Sequence, residues 1–340
     1  MVRLKDIAEK VGVSVSTVSR VIKNDTSRNV NPEIKRKVWL AVKEMGYTPN
    51  EHARNLVQSA ESVQVRTRRI GWLASPRLAN ENPYFSKMFI GITDTLNEAG
   101  YSLLLLQPDD LEDDALFQKT VREQEIEGIL LVDPIEKETL AELKKWIPVV
   151  GMDFNYSEQN VSIVDYDREE AVHKGIAHLV SRGHRRIGFI GSEMNGDLRG
   201  EKRFKGYRKS MREFNLDVDE RFMIDSRWCM DQTYRLMKEL MASCSDLPSA
   251  FMCASDMLAI AAMRAVQENH LSVPEDVAFV GIDNNEMAQY AMPSLTTVAI
   301  PQYEMGVVGA KVLLNQIADQ DFRLDLRTLL PTELMIRKST

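Results

Sequence analysis

The chain has 340 residues, is 44% apolar and 27% charged, and carries a net charge of −7, which supplies apolar mass for two or three packed units and excludes a disordered chain. Its three cysteines, Cys229, Cys244 and Cys253, show no CxxC spacing and no His at metal-ligand spacing, so a disulfide-stapled fold and a metal site are excluded and buried thiols are expected. No run of about 18 apolar residues occurs, and the opening MVRLKDIAEK is charged where a signal peptide is apolar, so a cytoplasmic chain with no membrane partner is expected.

The charge is unevenly divided. Residues 1–60 carry eleven Lys/Arg against six Asp/Glu, a net of +5, and the remainder carries −12. A basic head suits a polyanion, because each cation set against a phosphate releases a counterion. On charge alone a merely solvated helical domain is an equal alternative.

In chain order, LKDIAEKVGVS repeats apolar residues at helical spacing (Leu4, Ile7, Ala8, Val11) and stops at Gly12, which can take the left-handed conformation that ends a helix. Ser14 can cap a second helix, VSTVSRVI, burying Val15 or Val18 with Val21 and Ile22. A small residue at the crossing, a glycine at the corner and a branched residue in the shared core make a helix-turn-helix. The exposed face of its second helix then holds Ser16, Thr17, Ser19 and Arg20, hydroxyls and a guanidinium suited to phosphates and base edges. A third helix, with Asn31 as cap, Pro32 in its first turn and Gly46 at its end, completes a core through Ile34, Val38, Val42 and Met45. Asn50 can cap a short helix to Gln58, too short to be stable by itself; with Ala53 on a small face and Leu56 outward, two copies could pair in a minor groove and wedge leucines between base steps. The polar stretch 57–67 reads as linker.

From Arg68 the rhythm changes to short, wholly apolar runs (IGWLA, GILLV, PVVGM, RIGFI, AFMCAS, VAFVGI) alternating with amphipathic stretches, which predicts parallel sheets covered by helices on both faces. RRIGWL at 68–73 and RRIGFI at 185–190 echo each other, so two similar lobes are expected, with a cleft at the carboxyl ends of their strands. His173, His178 and His184 have no matched Ser, Cys or carboxylate motif, and no Gly-rich phosphate loop occurs, so neither catalysis nor a cofactor is expected.

LKDIAEKVGVSVSTVSRVI, GYTPN and ARNL resemble the DNA-binding head and hinge of the lactose and galactose repressor family (LacI/GalR). NPYF at 82–85, HLVSRGHRRIGFI at 178–190, RFKGY at 203–207, ASDMLAIAAMRAV at 254–266, VGIDN at 280–284 and PSLTTV at 293–298 extend the likeness through a core similar to periplasmic binding proteins. The resemblance implies an all-α helix-turn-helix head at 1–49, a hinge helix at 50–58, a linker at 59–67 and a two-lobed α/β core of parallel sheets at 68–340. It implies base-reading positions at Val15, Ser16 and Arg20, phosphate contacts at Thr17 and Ser19, and intercalation by Leu56. For the core it implies an effector site with Arg203 and Asp283 at its centre, Trp228 as an aromatic wall, Asp167 near the lobe crossing, Tyr84 and Phe85 closing the cleft, and Ser255 where many relatives carry Asn before Asp256. Lys23 for the commoner Asn, a loop before the third helix about two residues longer than usual, and Ile300 at a position polar in some sugar binders depart from the pattern.

The expected function is a repressor that binds double-stranded operator DNA as a homodimer and is controlled allosterically by a small ligand, a sugar or galactoside. The chain ends without a heptad tail, which favours a dimer over a tetramer. A transporter's sugar-binding module is the rival that the core alone would support, and an enzyme on the doubly wound fold is the weaker one.

Overall fold

A computed structural model of the chain describes residues 3–22, 30–45, 67–75, 83–112, 117, 120–121, 125–132, 135–153, 161–192, 200–244, 246–319 and 325–340. It divides into two compact units, 1–66 and 67–340.

The first unit packs α1 (Leu4–Val11), α2 (Val15–Ile22) and α3 (Pro32–Met45) around Ile7, Ala8, Val18, Val21, Val38 and Ala41. Gly12 adopts φ +74°, which lets its own N–H and that of Val13 both reach the Ala8 carbonyl, at 2.9 and 3.0 Å, and closes α1. The choice left open in α2 falls on Val18, wholly buried, while Val15 is 43% exposed. Ile34, Val42 and Met45 lie only at the margin of the core, and Ala41 takes the central place beside Val38. Asn31 Oδ1 accepts the Glu33 N–H at 2.8 Å ahead of Pro32, so the expected cap forms. The hinge and linker expected at 50–58 and 59–67 lie outside the described residues.

The second unit begins with β1 (Arg69–Leu73), α4 (Pro83–Glu98), β2 (Ser102–Leu106), α5 (Pro108–Glu112), β3 (Gly128–Leu131), α6 (Lys137–Leu143), β4 (Val149–Met152) and β5 (Ser162–Tyr166). It continues through α7 (Arg168–Ser181), β6 (Ile187–Gly191), α8 (Lys202–Glu213), β7 (Met223–Asp225), α9 (Met230–Ser243), β8 (Ala250–Cys253) and α10 (Asp256–Glu268). It closes with β9 (Ala278–Asp283), α11 (Glu286–Tyr290), β10 (Thr296–Ala299), α12 (Gln302–Ala318), β11 (Arg327–Leu330) and β12 (Glu333–Met335).

One sheet runs β11-β5-β4-β3-β1-β2 and the other β12-β10-β9-β8-β6-β7. The echo between the two arginine-led motifs is therefore topological: β1 and β6 each stand second from an edge, beside the strand that follows them. All pairs are parallel except β10 with β12. The apolar strands GILL, VVGM and AFMC, and AFVGID, which is apolar up to its final Asp283, are buried along their full length, as sheets covered on both faces require. Burying each of Phe189, Phe251 and Phe279 contributes roughly 1.5–3 kcal/mol.

Three chain passages join the lobes: β5 to α7, β10 to α12, and β11 to β12. After β10 in the second sheet, α12 lies against α4 and against β3, β4 and β5 of the first. The approach needs glycine on both helices, because a methyl group on Gly91 or Gly306 would stand 2.2 Å from the Tyr303 or Met88 carbonyl oxygen. Among the cysteines only Cys253 is buried; Cys229 and Cys244 are half-buried because they bracket the two ends of α9.

Candidate functional site

Two places carry chemistry. The first is α2 of the small unit. Ser14 Oγ accepts the Thr17 N–H at 3.1 Å and lies 2.8 Å from both Ser16 Oγ and Thr17 Oγ1. The hydroxyls at the start of α2 are thus oriented by a cap before any ligand arrives. Val15 and Ser16 are exposed, whereas Thr17, Ser19 and Arg20, expected on the open face, are half-buried. An eight-residue helix against a small core cannot clear its whole outer face. Lys10 and Glu44 pair at 2.8 Å and tie α1 to α3. Asn50, Ala53 and Leu56 lie outside the described residues.

The second place is where the carboxyl ends of the two parallel sheets face each other. Apolar strands end there in polar residues: Asp153 follows β4, Asp165 and Tyr166 end β5 and Asp283 ends β9, while Ala254, which follows β8, offers its backbone carbonyl. Tyr84, at the start of α4, donates its hydroxyl to Asp153 Oδ1 at 3.0 Å and meets the Phe85 ring edge-on at 5.0 Å. Arg168, the first residue of α7, reaches Asp153 at 2.6 Å with Nη2 and Asp165 at 2.5 Å with Nη1, and its guanidinium stands 4.6 Å over the Tyr166 ring. Its Nε has no partner among the described residues.

On the second lobe, Arg203 in the first turn of α8 pairs through Nε with Glu201 at 2.9 Å, donates through Nη1 to the Ala254 carbonyl at 3.0 Å, and lies 4.5 Å over the Trp228 ring. Glu201 caps the same helix by accepting the Phe204 N–H at 2.9 Å. Trp228 is 38% exposed and follows Arg227 in a left-handed pair, φ +55° and +50°, which swings its ring out of the β7 to α9 turn. Asp283 is buried at φ +122°, with its carbonyl held by Gln302 Nε2 at 2.8 Å. Beneath it, buried Asp256 accepts from Thr297 Oγ1 at 2.5 Å and from the Asn285 N–H at 2.7 Å.

The electrostatics cross between the lobes. Burial pushes the Asp283 carboxyl well up, Asp256 adds to it, and Arg203 opposes. Burial also raises Asp153 and Tyr84, and Asp153 feels Arg203 of the other lobe. Burial pushes Asp256 up to about 7. For Arg203 burial works against the charge, yet Tyr166 and Glu201 hold the guanidinium above its ordinary value.

The structure therefore gathers Tyr84, Arg203, Trp228 and Asp283 with Asp153, Tyr166 and Arg168, which the sequence reading missed. The signal was present: VVGMD and IVDYDR each end an apolar run in charge. Asp167, expected in the cleft, is exposed and accepts the Glu170 N–H at 3.0 Å as the cap of α7, so its buried neighbours Asp165 and Arg168 belong to the cluster instead. Ser255 is half-buried and caps α10, accepting the Leu258 N–H at 3.4 Å. The histidines serve packing: His178 meets Thr340 at 2.9 Å and His184 meets Ser249 at 2.9 Å. No group of metal-ligating side chains occurs among the described residues, and no helix among them is long and apolar enough to cross a membrane.

A family model described as bacterial regulatory proteins, lacI family, matches residues 3–50, and one described as a periplasmic binding protein-like domain matches residues 176–340. The HTH-type transcriptional repressor PurR of Escherichia coli O1:K1 / APEC is 30% identical over 326 residues, covering 94% of this chain and 92% of that protein. Among solved structures, the transcriptional regulator CelR in complex with cellobiose superposes with a TM-score of 0.69 at 28% identity over the whole of both chains. The Lac repressor bound to ONPG in its repressed state gives 0.79 at 25% identity, covering 100% of this chain and 99% of that one.

Proposed function

The chain belongs to the LacI family of bacterial regulatory proteins and is a transcriptional repressor with a DNA-binding helix-turn-helix, and from that premise we propose that it grips a near-palindromic operator as a homodimer and releases it when a sugar enters the cleft between its lobes. One observation carries the ligand half of this reading: charged and aromatic groups from both lobes converge at the strand ends, with Tyr84 and Asp153 on one side and Arg203, Trp228 and Asp283 on the other. Carboxylates and guanidinium groups accept from and donate to hydroxyls, and aromatic faces suit the apolar side of a pyranose. The cellobiose held by CelR supports a sugar. A flat heterocycle is the second reading, since the Phe85 and Trp228 rings would stack on it equally well.

On the DNA side, Val15, Ser16 and Arg20 read bases and Thr17 and Ser19 meet phosphates, while Asn50, Ala53 and Leu56 serve the hinge. In the cleft Phe85 and Ser255 border the ligand, and Asp167 acts by setting the start of α7. Ligand binding at a site shared by two lobes changes the angle between them, and that change is transmitted to the paired heads. By linkage the operator must weaken ligand binding by the same factor as ligand weakens operator binding.

The test uses operator fragments selected from the source genome. Fluorescence anisotropy should show sequence-selective binding whose affinity falls steeply with salt, as counterion release demands, and a sugar that shifts it. Binding that is indifferent to sequence at every salt concentration would remove the operator reading.

A further inference from the structure

We propose that Gln302 is a positioning residue of the cleft: its amide ties the backbone of Asp283 to α12, so that the place of the Asp283 carboxyl group follows the arrangement of the two lobes. This rests on the reading of the cleft as the effector site.

The chain turns sharply at the end of β9. Asp283 stands at φ +122° and Asn284 at +52°, conformations that residues with a side chain hold only where their surroundings fix them. Hydrogen bonds to several side chains fix this stretch. The Asn284 N–H donates to Thr297 Oγ1 at 3.3 Å, the Asn285 N–H donates to Asp256 Oδ2 at 2.7 Å, and Arg337 Nη2 donates to Asn284 Oδ1 at 2.7 Å. Those partners belong to the second lobe itself: β10, the start of α10 and the residues after β12. Gln302 differs from them. Its Nε2 donates to the Asp283 carbonyl at 2.8 Å, and it opens α12, the helix that leaves the second sheet and packs on β3, β4, β5 and α4 of the first lobe.

The position is one where an apolar side chain is the ordinary choice: Gln302 is 4% exposed, and Ile300 and Met305 on either side of it are buried as well. A buried amide costs free energy unless it is hydrogen-bonded, so its presence points to the bond it makes. One turn along α12, Gly306 meets the Met88 carbonyl of α4 at backbone distance, and Tyr84 at the start of α4 donates its hydroxyl to Asp153. Asp283 and Asp153, on opposite walls of the cleft, are thereby joined through two helices as well as across the space between them. A change in lobe angle that moves α12 pulls on the Asp283 backbone, and a ligand held by Asp283 biases that angle in return.

Gln316 supplies a matched control. It lies on the same helix, is 6% exposed and donates Nε2 to Ser162 Oγ at 2.8 Å, but Ser162 belongs to the first lobe. Gln302→Met and Gln316→Met each remove one buried hydrogen bond from α12, and thermal unfolding of both checks that the losses are comparable. Hydrogen exchange read by mass follows the Asn284 and Asn285 amides of the full chain. Lobe separation is measured by double electron–electron resonance between spin labels at two exposed positions, Ala141→Cys on α6 and Arg212→Cys on α8. The labelled chain also carries Cys229→Ser and Cys244→Ser and is diluted into an excess of unlabelled chain. Gln302→Met should speed exchange at 284 and 285 by about fivefold or more, the factor that one lost hydrogen bond supplies, and should broaden the distribution of lobe separations. Gln316→Met should do neither. Separations as narrow as the parent's in Gln302→Met, or the same broadening in Gln316→Met, would overturn the inference. Gln302→Glu, which keeps the size and loses the donor, should repeat the pattern and serves if the methionine variant fails to fold. Operator affinity of the ligand-free chain is read alongside by fluorescence anisotropy. Separations that broaden with no change in operator affinity count against control of the operator by the lobes and leave the tie standing.

Discussion

Arg168 and Asp153 join the two lobes by an ion pair: the guanidinium starts a helix that packs on the second sheet, the carboxylate directly follows strand β4 of the first, and the two meet at 2.6 Å. Asp165 shares the same guanidinium, so a single buried cation holds one buried and one half-buried carboxylate. Arg168→Met should therefore leave both uncompensated and destabilise the 67–340 unit by roughly 3–5 kcal/mol, read as a lowered urea midpoint. Adding Asp153→Asn and Asp165→Asn should recover part of the loss. A single variant that unfolds with the parent would show that the pair carries no such role.

Asp256 links stability to pH. Its carboxyl sits at about 7 in the folded chain against an ordinary value of 3.8. Between those values the folded state holds the proton that the unfolded state has lost, so this group's contribution to stability falls as pH rises and levels off above about 7. Asp256→Asn cannot titrate. Its unfolding midpoint relative to the parent should drift in the variant's favour as pH rises through that window. A difference that is flat with pH would mean that Asp256 stays ionised in the folded chain.

Gly306 lets α12 cross the first-lobe helix α4 at backbone distance, with Met88 O 2.2 Å from where a side chain would begin. Gly306→Ala should force the helices apart and cost on the order of 1–3 kcal/mol or more, as over-packing does. Gly183→Ala provides a contrast with a different cause, since nothing stands within 4 Å of a methyl group there and only its φ of +97° resists. Calorimetric unfolding of both checks the ranking, and a silent Gly306→Ala would mean that the helices can separate freely.

Ser14 caps α2 and orients two further hydroxyls. Ser14→Ala should cost the small unit about 1 kcal/mol and weaken operator binding, while Ser16→Ala should spare stability. Equal thermal midpoints for Ser14→Ala and the parent would deny the cap.

Arg20→Ala should lower operator affinity by about 1–3 kcal/mol and relax preference at one base, measured by anisotropy over single-base operator variants. A uniform loss over all sequences would make Arg20 a phosphate contact instead.

The amino-acid sequence by itself determined what depends on local periodicity and on residues that tolerate few alternatives. Gly12 after an amphipathic run placed the corner of the head, Asn31 with Pro32 placed the start of α3, and uninterrupted apolar runs required strands buried on both faces. The repeated arginine-led motif even announced two like sheets. Only the tertiary structure decided which charged side chains meet. Asp165, Asp167 and Arg168 are neighbours in sequence, and alternation along β5 and the start of α7 turns two of them into a buried cluster and leaves the third in solvent as a helix cap. Asp153 joins that cluster from another strand, and Arg203 is neutralised by Glu201 two residues away because the cap of α8 bends the chain back upon itself. Periodicity is a property of a segment, whereas the pairing of buried charges depends on where separate segments end in space.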